Sequence, residues 1–149
     1  MYETILVPTD GSETIQRTLP HALTLAADND ATVRALSVVD IRSVQAAGDD
    51  DREGVAAKLT AAAEAAVEEV ADAAAEAGLA VETTVRRGTP DKEIVKEATE
   101  QDIDVIVIGT DGKTPREKLR SLGSVSERVV DKAEVPVFVI KQPTDEAAG

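Results

Sequence analysis

The chain has 149 residues and a formal net charge of −13, from 29 acidic against 16 basic side chains, and it contains no cysteine. This length suits one domain with a real hydrophobic core, and the lack of cysteine excludes disulfide bonds, thiolate chemistry and cysteine-based metal sites. The strong negative charge disfavours binding to nucleic acid or to an anionic membrane surface, because like charges repel.

The distribution of residue types suggests where the protein works. No apolar run approaches the length that spans a membrane, and no secretory signal is visible, so we expect a cytoplasmic protein. The acidic residues are spread along the chain rather than gathered in a tail. This spread favours a halophilic protein, adapted to a salty cytoplasm that screens self-repulsion, over an ordinary acidic protein.

The chain begins with a strand pattern followed by a helix pattern that contains a proline. Residues 4–8 are predicted to form a buried strand that Pro8 ends. We expect Ser12 to cap the next helix, with Glu13 in its first turn, where a carboxylate meets the positive end of the helix dipole. Pro20 predicts a kink, or a helix that is regular only after it, because an interior proline costs about 3 kcal/mol.

A second strand, a loop and a long helix are predicted next. Residues 32–39 have the strand pattern, and the small, polar residues 41–51 are predicted to form a loop. An alanine-rich helix follows, and Gly78 is a natural stop for it. Its buried stripe is predicted to consist of Val55, Leu59, Ala62, Ala66, Val70, Ala73 and Ala77.

The second half repeats the alternation of strand and helix. Strands are predicted at residues 79–86, 104–108 and 135–140. Thr89 is expected to cap the helix that starts at Pro90. The inward-facing residues of that helix are predicted to be Ile94, Val95 and Ala98, and those of the last helix Val125, Val129, Val130 and Ala133. A single domain is expected over residues 1–141, with a polar tail at residues 142–149.

This alternation predicts an α/β protein with a parallel sheet and helices on both faces. Ligands of such sheets bind at the carboxyl ends of strands, where the strand order reverses. If the first and fourth strands are neighbours, a crevice lies between residues 8–10 and residues 109–112. Pro136 removes a ladder donor, so the last strand is predicted to be an edge strand, with an apolar flank able to pair with a second chain.

A glycine turn follows the most apolar run of the chain, residues 105–108. It contains Gly109 and Gly112, and a second small cluster at residues 123–126 opens the last helix pattern. Backbone N–H groups at such a turn and helix start can bind phosphate. The alternative is an ordinary serine cap. A P-loop is excluded, because Val107 stands where that motif needs a glycine.

The segment after the glycine turn is basic. It carries one acidic residue, Glu117, against four basic ones, Lys113, Arg116, Lys118 and Arg120. Phosphate binding explains this concentration of positive charge in an acidic chain, and a solvated surface turn explains it equally well.

The residues at the end of the first strand are candidates for the nucleoside end of a ligand. Asp10 could accept from ribose hydroxyls or hold a phosphate-bound Mg²⁺, or it could bond only the backbone of its own turn. An adenine ring would lie between aliphatic side chains such as Val38 and Ile108, because no aromatic residue is placed to stack on it.

Five segments together resemble the universal stress protein family. They read ILVPTDGS at residues 5–12, SVVD at 37–40, GTP at 88–90, and IGTDGK with LGSVSERVV at 108–113 and 122–130. The similarity extends from the first strand to Ile140. It implies a three-layer open sheet of five parallel strands in the order 3-2-1-4-5, of the adenine-nucleotide α-hydrolase-like type related to flavodoxin and Rossmann folds. It also implies a homodimer through the fifth strand, which starts here at Val135 and ends at Ile140.

The resemblance further implies an ATP site, in which Pro8, Thr9, Asp10 and Val38 line the adenosine end and the glycine and serine clusters hold ribose and phosphates. The expected cofactor is ATP, with Mg²⁺ at Asp10. With the residues chosen on other grounds, the predicted nucleotide site comprises Pro8, Thr9, Asp10, Val38, Ile108, Gly109, Thr110, Gly112, Lys113, Gly123, Ser124, Val125 and Ser126.

Two departures from the family motif keep alternatives open. Ten residues, rather than nine, separate Gly112 from Gly123, and Asp111 stands where ATP-binding relatives often carry histidine. AMP or a cyclic nucleotide is therefore an alternative ligand. The leading hypothesis is a dimeric, nucleotide-binding stress-response module, in which the nucleotide changes the 41–51 loop or the partners. The others are a scaffold without nucleotide, and a slow ATPase with Asp10, Asp40 and Asp111 as the available bases; no catalytic residue is assigned.

Overall fold

The computed structural model describes residues 2–110 and 124–141, and for Ser124 the backbone alone. The sheet is entirely parallel and has the strand order β3-β2-β1-β4-β5, which confirms the predicted fold class and strand order. Its strands are β1 (Thr4–Pro8), β2 (Thr32–Asp40), β3 (Val81–Gly88), β4 (Val105–Gly109) and β5 (Val137–Ile140).

Helices cover both faces of the sheet, as expected. They are α1 (Thr14–Asn29), α2 (Ile41–Ala46), α3 (Arg52–Glu76), α4 (Pro90–Glu100) and α5 (Ser124–Lys132). One core cluster joins α1 and α3 to the sheet, and a second joins α4 and α5 to its other face. Each strand in the middle of the sheet therefore buries both of its faces, which explains the uninterrupted apolar runs.

Alternate side chains of β1 show how the two faces are built. Ile5 and Val7 are buried in the cluster under α1 and α3, whereas Leu6 is buried in the cluster under α4 and α5. Successive side chains of a strand point to opposite faces, so an apolar strand between two helical layers needs no polar alternation.

The reversal of strand order lies at β1, which pairs with β2 on one side and β4 on the other. All five residues of β1 are in register with β2, but only Ile5 and Leu6 are in register with β4, opposite Val105 and Ile106. The paired part of β1 and β4 thus stops short of their carboxyl ends, which leaves room for a crevice there.

The start of α1 differs from the prediction. The helix begins at Thr14, so Glu13 rather than Ser12 occupies the N-cap position, and no acidic residue lies in the first turn. Ser12 instead shares a hydrogen bond with the Thr14 hydroxyl, 2.9 Å between the oxygens. The helix also continues through Pro20, so the expectation of a helix that is regular only after Pro20 is wrong, whereas the kink stays a prediction. Pro20 is exposed, and water can satisfy the carbonyl that the proline leaves without a donor.

The predicted loop at residues 41–51 contains a short helix, α2. Asp40 caps it, since its Oδ1 accepts from the backbone N–H of Arg42 at 2.9 Å. No residue of α2 is buried. The prediction failed because a short helix without a buried face has no apolar periodicity.

The buried stripe of α3 is rotated from the predicted one. The helix stops before Gly78, whose φ of 77° is the left-handed conformation expected of a helix-ending glycine. The predicted Ala62 and Ala77 are exposed. Alanine occupies several faces of this helix, so its periodicity defines the buried side poorly. The buried residues are Ala63, Ala66, Val67, Val70 and Ala74.

Smaller corrections concern α4, α5 and the strand ends. Thr89 occupies the N-cap position of α4 as predicted, but its side chain makes no capping hydrogen bond. Val95 is half-buried and Val130 is 50% exposed, so neither belongs to the core. Strands β3 and β4 run one or two residues beyond their predicted carboxyl ends, and β5 starts two residues later than predicted. The β5 edge position agrees with the prediction.

Candidate functional site

A pocket of about 310 Å³ lies at the carboxyl ends of β1, β2 and β4. Its position matches the expected crevice at the reversal of strand order, and its volume suits a small-molecule ligand. It is lined by Pro8, Thr9, Asp10, Thr14, Ile15, Thr18, Leu36, Val38, Asp40, Arg42, Pro90, Ile94, Ile108, Gly109, Thr110, Val125 and Ser126.

Most residues of the predicted site meet in this pocket. Those that line it are Pro8, Thr9, Asp10, Val38, Ile108, Gly109, Thr110, Val125 and Ser126. Ser124 begins α5, next to two of them. Gly112, Lys113 and Gly123 lie outside the described residues, as do Asp111 and the basic segment at residues 113–120. The pocket therefore joins the two predicted ends of the site, and nucleotide binding by these residues stays a prediction.

The floor of the pocket is apolar. Leu36, Ile15 and Ile108 are almost fully buried, and Val38 is half-buried beside them. These side chains come from β2, α1 and β4, which pack around β1. An aliphatic slot of this kind can enclose a flat ring by dispersion and burial of apolar surface.

One wall of the pocket is the turn that follows β1. The backbone N–H of Thr9 donates to the carbonyl of Leu36 at 2.8 Å, which continues the β1–β2 ladder into the turn. Asp10 Oδ1 accepts from the backbone N–H of Ser12 at 2.8 Å, and Thr9 Oγ1 accepts from that of Gly11 at 3.1 Å. Gly11 adopts a φ of 81°, which favours glycine. The turn is thus held rigidly by its own side chains.

Asp10 accordingly has the local turn role that was considered for it. Its second carboxylate oxygen could still serve a ligand, because a carboxylate accepts several hydrogen bonds. Within residues 2–110 and 124–141, no group of three or more His, Asp or Glu side chains is arranged to hold a metal ion. The Mg²⁺ assignment therefore stays a prediction that depends on ligand phosphates as further metal ligands.

Asp40 and Arg42 form an ion pair at the β2 end of the pocket. Arg42 Nε donates to Asp40 Oδ1 at 3.0 Å, and Nη2 donates to Oδ2 at 2.8 Å. The hydrogen bond from Arg42 lowers the pKa of Asp40 and raises the pKa of Arg42, so both are charged at neutral pH. A carboxylate with a lowered pKa is a weak general base, which disfavours Asp40 as the base of an ATPase.

The far wall of the pocket depends on the packing of α5 against α4. Asp91, in the first turn of α4, is buried and accepts from Lys132 Nζ at 2.9 Å. Arg128 approaches the same carboxylate at 4.0 Å. These contacts hold α5 on α4, with Val125 and the buried Ser126 facing the pocket.

Several lining residues were not part of the predicted nucleotide site, although one of them, Asp40, was named as an available base for the ATPase alternative. They are Thr14, Ile15, Thr18, Leu36, Asp40, Arg42, Pro90 and Ile94. A simple signal existed for Asp40, since it ends β2 and the carboxyl ends of neighbouring parallel strands meet at one edge. No comparable signal existed for Thr18, which faces the pocket only because α1 packs across β1 and β4.

None of the helices in the described ranges is both long enough and apolar enough to cross a membrane.

Comparison with known proteins identifies the family. The model of the universal stress protein family matches residues 1–141. Universal stress protein MJ0531 of Methanocaldococcus jannaschii is 37% identical over 147 residues, with 98% of this chain and 86% of that protein covered. The solved structure of MJ0577 from the same organism has a TM-score of 0.83 at 33% identity. The match covers 95% of this chain and 97% of the MJ0577 chain.

Two further solved structures contain nucleotides. A universal stress protein in complex with cAMP has a TM-score of 0.71 at 28% identity, with 93% of this chain and 97% of that chain covered. The universal stress protein of Archaeoglobus fulgidus in complex with dAMP has a TM-score of 0.66 at 26% identity, with 94% and 98% covered. The likeness in sequence and fold extends over nearly the whole chain. The chain therefore belongs to the universal stress protein family.

Proposed function

We propose that the pocket binds an adenine nucleotide and that the protein acts as a dimeric, nucleotide-responsive module in a stress response rather than as an enzyme. The observation that carries this proposal is the aliphatic slot beside a rigid polar turn at the β1–β4 crevice. A slot suits a base, and a turn with backbone and side-chain polar groups suits a ribose. Relatives crystallised with cAMP and dAMP support the same class of ligand.

The proposed pose follows the lining of the pocket. The base lies on Val38 and Ile108, and the ribose lies over the turn at Thr9 and Asp10. The phosphates then point toward the start of α5, where Ser126 offers a hydroxyl and the helix dipole favours an anion. The predicted phosphate contacts of Gly112, Lys113, Gly123 and Ser124 complete the proposal.

The number of phosphates distinguishes ATP from AMP and cyclic nucleotides. A monophosphate uses the described slot and turn almost alone, whereas a triphosphate depends more on residues 111–123. Asp111 adds a carboxylate to that segment, which repels phosphate unless Mg²⁺ or Lys113 offsets it. We therefore expect AMP or a cyclic nucleotide to bind at least as well as ATP without Mg²⁺.

Calorimetry and mass spectrometry test the proposal directly. Small molecules released from purified protein are identified by mass, and stripped protein is titrated with AMP, cAMP and ATP, the last with and without Mg²⁺, in high salt. Val38→Trp fills the base slot and is expected to weaken binding at least ten-fold, since it displaces the ring from its apolar contacts. Val95→Trp is the matched control, because Val95 is also half-buried but lies outside the pocket.

Binding that is absent from the wild type, or that Val38→Trp leaves unchanged, would contradict the proposal. The first result would favour the scaffold hypothesis, in which the protein forms dimers without nucleotide. Steady phosphate release from ATP that Asp10→Asn abolishes would favour the ATPase hypothesis instead.

A second copy of the chain is the proposed partner, bound along β5. That strand lies at the edge of the sheet, with Phe138 40% exposed and Val139 37% exposed. An edge strand with apolar side chains and open backbone groups favours pairing with another strand.

A further inference from the structure

The chain contains two Asp–Gly pairs, Asp10–Gly11 and Asp111–Gly112, and both fall in the segments that were predicted to form the nucleotide site. The backbone nitrogen after an aspartate can attack the carboxyl carbon of that aspartate, and glycine permits this best because it has no Cβ to hinder the approach. The second pair lies outside the described residues. The first pair forms the turn after β1, where Asp10 lines the pocket.

The turn leaves the backbone around Gly11 accessible. Asp10 and Gly11 are both exposed, and they lie between β1 and α1, so the peptide group that joins them has no strand or helix ladder to join. Apart from the adjacent residues, a Cβ added to Gly11 would have one neighbour within 4 Å among the described residues, the Cβ of Ala66 at 3.4 Å. Water therefore has access to this peptide bond, and the turn can change shape without unfolding the sheet.

Two local hydrogen bonds oppose the attack. The Gly11 N–H donates to Thr9 Oγ1 at 3.1 Å, and Asp10 Oδ1 accepts from the Ser12 N–H at 2.8 Å. The first bond occupies the nitrogen that attacks, and the second fixes the side chain that is attacked. Each hydrogen bond of this kind contributes only about 1 kcal/mol net, so the turn slows the reaction without preventing it.

Asp40 provides a contrast within the same pocket. It also lines the pocket, but the next residue is Ile41, whose branched side chain hinders attack by its own nitrogen. Both oxygens of the Asp40 carboxylate also accept hydrogen bonds from Arg42. Among the aspartates that line the pocket in the described part of the chain, Asp10 alone precedes a glycine.

We propose that Asp10 is a site of isoaspartate formation and that a ligand in the pocket slows this modification. The Gly11 nitrogen bonds to Cγ of the protonated Asp10 side chain, and its proton leaves with the carboxyl OH as water, which gives a five-membered succinimide. A second water adds to the carbon that was the backbone carbonyl of Asp10, and the bond from that carbon to the nitrogen breaks. The chain then runs through Cγ, and the former backbone carbonyl is a free carboxylate. The site itself is independent of the proposed function, whereas protection by a ligand rests on it.

The modification changes the wall of the pocket. Isoaspartate inserts one methylene group into the backbone, which lengthens the turn by about 1.5 Å. The new carboxylate is attached one carbon closer to the chain, so it no longer matches the Ser12 N–H that holds the turn in shape. AMP is therefore expected to bind the modified protein several-fold more weakly.

Peptide mapping of stored protein tests the site. Ligand-free wild type is kept for days in mildly acidic buffer, with and without saturating AMP, and electron-based fragmentation distinguishes isoaspartate from aspartate. Isoaspartate is expected at Asp10 and not at Asp40, and AMP is expected to slow its formation several-fold. Thr9→Val removes the acceptor of the Gly11 N–H, so it is expected to speed the reaction several-fold in ligand-free protein. Thr83→Val, at an exposed position of β3, is the matched control and is expected to keep the wild-type rate.

Thermal melts report whether each variant folds, and protein unfolded in urea gives the rate without the turn. Folded protein that forms no isoaspartate at Asp10, while the unfolded chain does, would overturn the site. A wild-type rate in folded Thr9→Val would show that the hydrogen bond does not guard the nitrogen. If calorimetry shows that AMP binds but the rate does not change, the protection is wrong and the proposed function stands. If AMP does not bind, the proposed function and the protection both fail, and isoaspartate at Asp10 still decides the site.

Discussion

Lys132 Nζ lies 2.9 Å from Asp91 Oδ2, and this ion pair joins the last turn of α5 to the first turn of α4. The carboxylate is only 3% exposed, whereas Lys132 is 44% exposed. Because α5 carries Val125 and Ser126 to the pocket, this contact connects stability with the shape of the site.

Lys132→Met is expected to destabilise the fold by about 1–3 kcal/mol at pH 7, because it leaves a buried carboxylate without its nearest partner. In the wild type, burial opposes ionisation of Asp91, but the hydrogen bond and charge of Lys132 outweigh it and lower its pKa. This contribution to stability is complete well above the ordinary pKa of 3.8 and is lost as the pH falls through the lower, folded-state value.

The difference between wild type and Lys132→Met is therefore expected to be large at pH 7 and to shrink below about pH 4, measured by urea unfolding across pH. Lys96→Met is the control, because Lys96 is an exposed lysine on α4 without an ion pair among the described residues. A constant difference across pH, or an equal loss in the control, would contradict the role given to the pair.

Glu97 is a second buried acid with two cationic partners. It is 1% exposed, and its oxygens accept from Arg34 Nε at 2.5 Å and from Arg86 Nη1 at 2.6 Å. Burial opposes its ionisation, but the hydrogen bonds from the two arginines hold its pKa below its ordinary value. Glu97→Ala is expected to cost about 3–5 kcal/mol in urea unfolding, since two partly buried guanidinium groups lose their shared partner.

Glu100 is the matched control for Glu97. It contacts the same Arg86 at 3.2 Å but is 46% exposed. Glu100→Ala is expected to cost less than about 1 kcal/mol, because exposed ion pairs contribute little. Similar losses in the two variants would show that burial of the network does not matter.

Potassium chloride is expected to stabilise the protein. With a net charge of −13, the folded chain repels itself, and salt screens that repulsion. The melting temperature is expected to rise by several degrees between 0.1 and about 2 M salt at pH 7. The gain is expected to be much smaller near the isoelectric point of about 4.4, where the net charge vanishes. A melting temperature that does not respond to salt at pH 7 would contradict the halophilic interpretation.

Val139→Lys is expected to convert a dimer into a monomer of 15.6 kDa, as measured by light scattering after size exclusion. A lysine on an edge strand opposes strand pairing. Val139 is preferred over Phe138, whose ring packs edge-on against Tyr2 at a centroid distance of 6.3 Å. Ala57→Lys, an exposed site on α3, controls for the added charge. A wild type that is itself monomeric would refute the proposed interface.

The alternation of strands and helices was predictable, because buried apolar strands ending in glycine or proline have a strong pattern in this chain. The strand order, and with it the place of the pocket, followed from the resemblance to the family rather than from this pattern. Asp91 and Glu97 show what pattern alone misses. Neither is among the residues of α4 that were predicted to face inward, and both are buried. Lys132 is 41 residues from Asp91 in the chain, and Arg34 is 63 residues from Glu97, so only the fold reveals these two pairings. Arg86 of β3 is 11 residues from Glu97.

The Asp40–Arg42 pair was difficult to predict from the sequence for a different reason. The capping role of Asp40 is local and readable, but α2 has no buried residue to mark it as a helix. A prediction based on apolar periodicity therefore ended the strand at Asp40 and placed Arg42 in a loop.

The ladder between β1 and β4 is short, so the sheet has a weakly paired boundary in its middle. Beyond Leu6 and Ile106, these central strands have no further paired positions. A ligand bound in the crevice contacts residues on both sides of this boundary and links β1 to β4. Binding of a ligand in the crevice is therefore expected to slow amide hydrogen exchange at the carboxyl ends of β1 and β4, and to make the sheet unfold as one cooperative unit.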